Sequence, residues 1–260
     1  MAGTIDGMIQ VCLNGPRSAG DGAAVPLSPG AMAESAAEAV AAGAAEVHVH
    51  PKTPCGDDAL SPRAVAEVLM AIRAVVEVPV GVTTGAWAEP DPDRRVERVR
   101  SWTVLPDHAS VNWHEPGAEL VAAALLERGV GVEAGLWSGT DGPRRFLASP
   151  LAPRVLRVLA EVVDTDPGTA EESARSLLAE LGTAHGIPLL LHGEDGGAWP
   201  VLRLARQSGL DTRIGLEDVL FLPDGRRAAS NAELVRAARD VADIRWPRVG
   251  RDPHSGCGNP

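Results

Sequence analysis

The chain has 260 residues, 45% of them hydrophobic, with 24 basic against 35 acidic side chains and a formal net charge of −11. That length and apolar share bury one full core, and the negative field works against nucleic acid and anionic membranes, leaving a small molecule as the expected partner. Cys12, Cys55 and Cys257 are too few and too scattered for a disulfide framework or a Cys-rich zinc site and read as free thiols. No apolar run reaches the roughly 18 residues of a membrane span, and Met1 to Gln10 lacks the basic and apolar regions of a signal peptide, so a cytoplasmic protein is expected.

In chain order, strands are expected at 8–13, 46–50, 78–83, 109–112, 131–134, 155–162, 188–192 and 212–216. Helices fill the gaps at about 29–42, 62–76, 91–102, 118–128, a short one near 143–148, then 170–185, 198–209 and 231–242. Ser28-Pro29 and Ser61-Pro62 place a capping hydroxyl before a proline tolerated in the first turn. Gly43 suits a helix C-terminus. Eight strand-then-helix units without a Gly-x-Gly-x-x-Gly turn after the first strand predict an α/β fold of the (β/α)8 TIM-barrel type, one catalytic domain over 1–244. Residues 245–260 lose the rhythm and gain Pro, Gly and Arg. They read as a disordered end or an arm that packs on a neighbouring subunit.

Active sites of such barrels lie at the carboxyl ends of the strands, and polar side chains collect there. His48 and His50 end strand two, Thr83 and Thr84 strand three, and Ser110 and Asn112 strand four. Glu133 falls near the end of strand five, His192 and Glu194 end strand seven, and Glu217 and Asp218 strand eight. Residues two apart on a strand share a face, so His48 and His50 can both reach one ion. Two imidazoles and one carboxylate leave a coordination position open, the pattern of a catalytic zinc site. In Arg213-Ile-Gly-Leu-Glu217-Asp218, one carboxylate can bind metal while the other, beside an arginine, acts as a base. The tryptophans at 87, 113, 137 and 199 each follow a strand end and read either as loop packing or as an aromatic wall.

Several segments resemble the β-keto acid cleavage enzymes: His48-Val-His50, Thr83-Thr84-Gly85, Ser110-Val111-Asn112, Arg213 through Asp218, and Ser230-Asn231-Ala232-Glu233-Leu234-Val235. The resemblance implies Zn2+ held by His48, His50 and Glu217, with Asp218 as catalytic base and Arg213 as its partner. It implies a β-keto acid condensed with acetyl-CoA and cleaved to acetoacetate and a new acyl-CoA, with Thr83, Ser110 and Asn112 near the substrate. Lys52 stands where the family has an arginine after the histidine pair. It also implies a homotetramer.

Two departures bear on the substrate. The loop after strand one reads Asn14-Gly15-Pro16-Arg17 where the family has an acidic residue, so Arg17 points to a keto acid with a neutral or anionic side chain. Strands six and seven lack the usual Gly-rich loop for CoA, which keeps two further readings open. One is a CoA-independent metal-dependent aldolase or hydrolase on a β-dicarbonyl compound; the other is a metal-bound homologue that binds a keto acid without turnover.

Overall fold

The computed structural model describes residues 7–22 and 24–241. Its strands are β1 (Ile9–Cys12), β2 (Glu46–Val49), β3 (Val80–Thr83), β4 (His108–Asn112), β5 (Gly131–Trp137), β6 (Arg157–Val162), β7 (Leu189–Gly193) and β8 (Thr212–Ile214). The α-helices are α1 (Pro29–Ala41), α2 (Pro62–Arg73), α3 (Pro92–Ser101), α4 (Ala118–Glu127), α5 (Gly142–Leu147), α6 (Ala170–Leu181), α7 (Ala198–Gln207) and α8 (Asn231–Asp240). The strands are parallel and follow one another around the sheet, with β1 pairing both β2 and β8. β7 meets β8 at a parallel bridge between Leu190 and Asp211, where Thr212 Oγ1 donates to the Leu191 carbonyl at 2.8 Å. The sheet thus curls into the expected (β/α)8 barrel.

Strand interiors are buried on both sides, which is why their outward positions read as Val, Ala and Leu while inward positions tolerate polar groups. Helix starts follow the predicted cap chemistry. Ser28 Oγ accepts from Ala31 N, and Ser61 Oγ from Ala64 N, each at 3.2 Å. At α8, Ser230 Oγ accepts from Glu233 N at 3.2 Å while the Glu233 carboxylate accepts from Ala229 N at 2.7 Å.

Most boundaries shift by a residue or a few from the sequence reading, and two of the shifts, at β5 and β8, move site residues. β5 continues to Trp137 instead of ending at 134, so Glu133 lies toward the amino end of the barrel and Trp137 takes the mouth. β8 stops at Ile214 because the chain then turns, with Gly215 O accepting from Asp218 N at 3.0 Å and Val219 N at 2.9 Å. α6 ends at Leu181, not 185, since Gly182, Ala184 and His185 all have positive φ that no helix continues through. The tail at 245–260 and Cys257 lie outside the described residues. No described helix is long and apolar enough to cross a membrane.

The mouth is closed by a buried asparagine on α8. Asn231 Oδ1 accepts from Leu216 N at 2.8 Å, and its Nδ2 donates to Leu13 O at 2.9 Å and to Ser35 Oγ at 3.0 Å, tying the ends of β1 and β8 to two helices. An alanine there would strand a buried N–H and a buried carbonyl, at a cost of about 1–3 kcal/mol. Asn231→Ala is therefore expected to lower the denaturant midpoint by that amount at unchanged slope; an unchanged midpoint would show that the contacts contribute nothing net.

Candidate metal centre and active site

The strand ends converge on one carboxylate. His48 occupies an inward position of β2, and His50 follows just past the strand, its backbone N–H donating to Asn14 Oδ1 at 2.9 Å and its carbonyl accepting from Asn14 Nδ2 at 3.0 Å. Asn14 thereby fixes the spacing of β1 and β2 where the imidazoles project. Across the barrel seam, Glu217 lies against Gly15, whose φ of +52° and missing side chain both matter: a Cβ there would overlap the Glu217 side chain.

The resulting geometry suits one divalent ion. Glu217 Oε1 lies 3.5 Å from His50 Nε2, and Glu217 Oε2 lies 3.8 Å from His48 Nε2. Ligand atoms at about 2.05 Å in a tetrahedral shell stand about 3.4 Å apart, so the spacing needs little adjustment. Glu217 Oε2 is buried without a hydrogen-bond partner. His50 Nδ1 faces Asp58 Oδ2 at 3.5 Å, an arrangement that turns the Nε2 lone pair toward the centre. Burial pushes His48 down to about 3, against the pull of Glu217, keeping it a neutral donor. Burial lowers His50 too, but Glu217 and Asp58 outweigh it and raise it to about 9. A centre that draws a proton onto a buried imidazole is one that stabilises positive charge, which is the condition for a cation site.

A second group of Glu46, His108 and Glu133 clusters near the amino ends of the strands. It does not fit a metal, because Arg157 already pairs with Glu46, its Nε lies 2.9 Å from Glu133 Oε1, and Gln10 Nε2 donates to Glu133 at 2.9 Å. This is a closed polar floor beneath the site, not a second centre.

Asp218 is next to Glu217 in a turn, not on a strand, so the alternation expected of adjacent strand residues does not apply. Both carboxylates reach Arg213 Nη2, at 2.9 Å from Glu217 Oε1 and 2.8 Å from Asp218 Oδ1, and Arg213 Nε donates to His192 Nδ1 at 3.3 Å. Burial lifts the Asp218 carboxyl to about 6 even though Arg213 and His192 pull it down. Glu217 is moved the other way, well below the usual carboxylate range, because Arg213 and the two histidines outweigh its burial.

A cavity of about 500 Å³ opens over these groups. It brings together His48, His50, Thr83, Ser110, Asn112, Arg213, Glu217, Asp218 and Arg17, all singled out from sequence. Lys52 does not belong to it. Its ammonium donates to Asp58 Oδ1 and to the Gly15 carbonyl, both at 2.6 Å, so it braces the partner of His50 instead of meeting substrate. Arg17 lines the cavity, but its guanidinium donates to the carbonyls of Leu216 and Glu217 and pairs with Asp195 at 3.1 Å. The charge expected to welcome an anionic side chain is thus engaged. Of the tryptophans read as loop packing or an aromatic wall, Trp87 and Trp137 line the cavity, whereas sequence reasoning assigned no site role to Glu161 or Asp58. Trp87 stacks on His50 at 5.8 Å with planes 7° apart, and Glu161 follows Leu159 at the period of two that marks inward positions on β6. No local pattern in the loop after β2 distinguishes Asp58.

Comparison with known proteins agrees with this architecture. A ternary complex of ObcA with a C4-CoA adduct and oxalate superposes with a TM-score of 0.65 at 15% identity, covering 84% of this chain. The chain spans 63% of the length of that structure. A type I 3-dehydroquinate dehydratase from Clostridium difficile matches with a TM-score of 0.59 at 12% identity, covering 91% of this chain and 90% of that one. Tryptophan synthase from Mycobacterium tuberculosis matches at 0.55 and 16% identity, covering 91% and 94%. At such identities the likeness concerns the fold alone. No curated protein matches the chain in sequence. The family described as beta-keto acid cleavage enzyme matches residues 7–253, a span that holds every residue of the centre, and the chain belongs to that family.

Proposed function

We propose that the protein is a zinc-dependent β-keto acid cleavage enzyme that condenses a β-keto acid with acetyl-CoA and releases acetoacetate and a new acyl-CoA. The observation that carries this reading is the convergence of His48, His50 and Glu217 on one point, with the Asp218 carboxyl beside them in the same cavity. Zinc in that position would act as a Lewis acid on the substrate carbonyls.

The chain's own residues supply the remaining parts. Thr83 Oγ1 accepts from Gly85 N at 3.1 Å, which leaves its hydroxyl hydrogen for an acceptor in the cavity, and Ser110 offers another. Asn112 is held by Nδ2 donating to Glu115 at 3.0 Å. Asp218 Oδ2 is buried with no partner, while Oδ1 is fixed by Arg213, so one oxygen is oriented and the other is ready to take a proton from the α-carbon. The carbanion attacks the acetyl carbonyl and CoA leaves as thiolate. The thiolate then adds to the original ketone, the carbon–carbon bond breaks, and Asp218 returns its proton to the departing acetoacetate.

A CoA-independent aldolase or hydrolase on a β-dicarbonyl compound is the second reading. It draws on the engagement of both cavity arginines, Arg17 and Arg213, which leaves no unpaired cation among the described lining residues for an anionic cofactor. Consumption of acetyl-CoA by the zinc-loaded protein with a panel of short β-keto acids separates the two, and ligand-induced stabilisation without any product identifies a homologue that binds but does not turn over. We also propose a cytoplasmic homotetramer, for which Met70 on α2 and Leu120 on α4 offer exposed apolar side chains. Sedimentation at micromolar concentration checks it, and a clean 27.0 kDa species contradicts it.

His48→Ala and Glu217→Ala are expected to lose zinc by elemental analysis, since either change leaves two ligands. Undiminished zinc in both would remove the site. Asp218→Asn should keep zinc and lose turnover by roughly 10²–10⁴-fold, the usual contribution of a positioned base. Equal loss of zinc and turnover would make Asp218 a ligand or a prop, and near-normal turnover would pass the proton to another group.

A further inference from the structure

The segment that follows β2 folds back on itself. Lys52 and Asp58 form an antiparallel bridge, Ala59 N donates to the Pro51 carbonyl at 2.8 Å, Thr53 N donates to the Asp57 carbonyl at 2.7 Å, and Gly56 turns the chain at a φ of +94°. The fold-back returns a carboxylate to His50, eight positions earlier in the chain. At its base the Lys52 and Asp58 side chains are 2% and 7% exposed, and their charges meet at 2.6 Å. Desolvation of two buried charges offsets most of their attraction, so stability alone is a weak account of why such a pair is built here. Substrate contact does not account for it either, since neither residue lines the cavity.

The pair reaches two of the three metal-ligating side chains from behind. Asp58 Oδ2 faces His50 Nδ1 at 3.5 Å while Oδ1 holds the Lys52 ammonium, so each oxygen has its own donor. The same ammonium donates to the Gly15 carbonyl at 2.6 Å. Gly15 is the residue on which the Glu217 side chain packs, so closely that a Cβ there would overlap it. One lysine therefore fixes both the acceptor behind His50 and the backbone behind Glu217, which lie in the loops after β2 and β1.

We propose that Lys52 and Asp58 act as one positioning unit for the metal centre, setting the ring orientation of His50 and the seat of Glu217 and thereby the affinity for the ion. The proposal rests on the zinc reading above. A carboxylate on the far nitrogen of a liganding imidazole fixes its tautomer and its direction, and loss of such a partner lowers metal affinity by about 10–100-fold. The lysine keeps that carboxylate turned to the ring by occupying its other oxygen.

Zinc affinity of the full-length protein, measured by competition with a chromophoric chelator, tests this without turnover. Lys52→Met and Asp58→Asn should each weaken zinc binding by about 10-fold or more. The asparagine keeps the shape of the aspartate but has one acceptor oxygen for two donors, so either His50 or Lys52 loses its partner. Removing the lysine as well frees that oxygen for His50. The double variant should thus bind zinc no worse than Asp58→Asn alone, yet more than about 3-fold worse than wild type because Gly15 is unbraced. In the cobalt-loaded protein the visible bands should shift in both single variants, reporting altered ligand geometry. Losses that multiply in the double variant overturn the shared unit. Zinc affinity and cobalt spectrum unchanged beside a lowered denaturant midpoint of the metal-free protein would make the pair a structural prop, overturning the proposal and leaving the zinc reading standing. If a single variant fails to fold because it buries an unpaired charge, the double variant buries none and decides, affinity within about 3-fold of wild type being the overturning result. A wild-type protein that binds no zinc sinks the zinc reading and the proposal with it.

Discussion

One buried guanidinium organises this molecule's chemistry. Arg213 is 4% exposed, and a charge so far from water is tolerated only when its hydrogens are matched by acceptors. It finds them in Glu217, Asp218 and His192, which belong to two different segments at the carboxyl end of the barrel. Removing the cation would leave two buried carboxylates facing only imidazoles at 3.5 Å or more, so the turn after β8 and the end of β7 are held in place by the same contacts that set their protonation. The division of labour between the two acids follows from this. Both touch Arg213, but Glu217 also faces two imidazoles and is driven to the anion, whereas Asp218 is deeper, meets less positive charge and titrates near 6.

What the sequence made legible is what the barrel's regularity determines. His48 and His50 lie two apart at a strand end, and any closed parallel barrel turns such a pair toward its mouth. Ser28-Pro29 and Ser61-Pro62 start helices because the cap hydroxyl and the ring need no tertiary partner. The misplacements arise where long-range contacts decide. Lys52 reads as a substrate contact from its position after the histidines, yet Asp58, six residues on and across a hairpin-like loop, captures it. Arg17 reads as a local positive charge, yet carbonyls nearly two hundred positions later absorb its hydrogens. Glu133 reads as a mouth residue because the sequence pattern ends the fifth strand at 134, three residues before its observed end at Trp137. Its actual partners, Gln10 and Arg157, come from strands that only the closed sheet brings alongside.

The polar floor and the polar mouth are kept apart by the same geometry that builds them. Glu46, His108, Glu133 and Arg157 pair with one another near the amino ends of the strands, and a Cβ on Gly81 would overlap His108, so the ring has its place only because that position on β3 is bare. With the floor closed on itself, positive charge entering from the mouth encounters Glu217 and not a competing pair of carboxylates beneath it.

The charge balance of the cavity then constrains how an anionic substrate can bind at all. Asp21, Glu161, Glu194, Asp195, Glu217 and Asp218 line it, against Arg17 and Arg213, and both arginines are already paired. A keto acid carboxylate arriving at the hydroxyls of Thr83 and Ser110 meets neutral donors whose hydrogen bonds are individually worth only about 1 kcal/mol, while the surrounding acids repel it through a medium that screens less than water. On the proposed keto acid reading, the compensating positive charge would be a cation held by His48, His50 and Glu217. On that proposal an ion there would serve substrate binding as well as activation of the carbonyl, while burial raises the pKa of both Glu161 and Glu194 and so reduces the negative charge of the wall at β6 and β7.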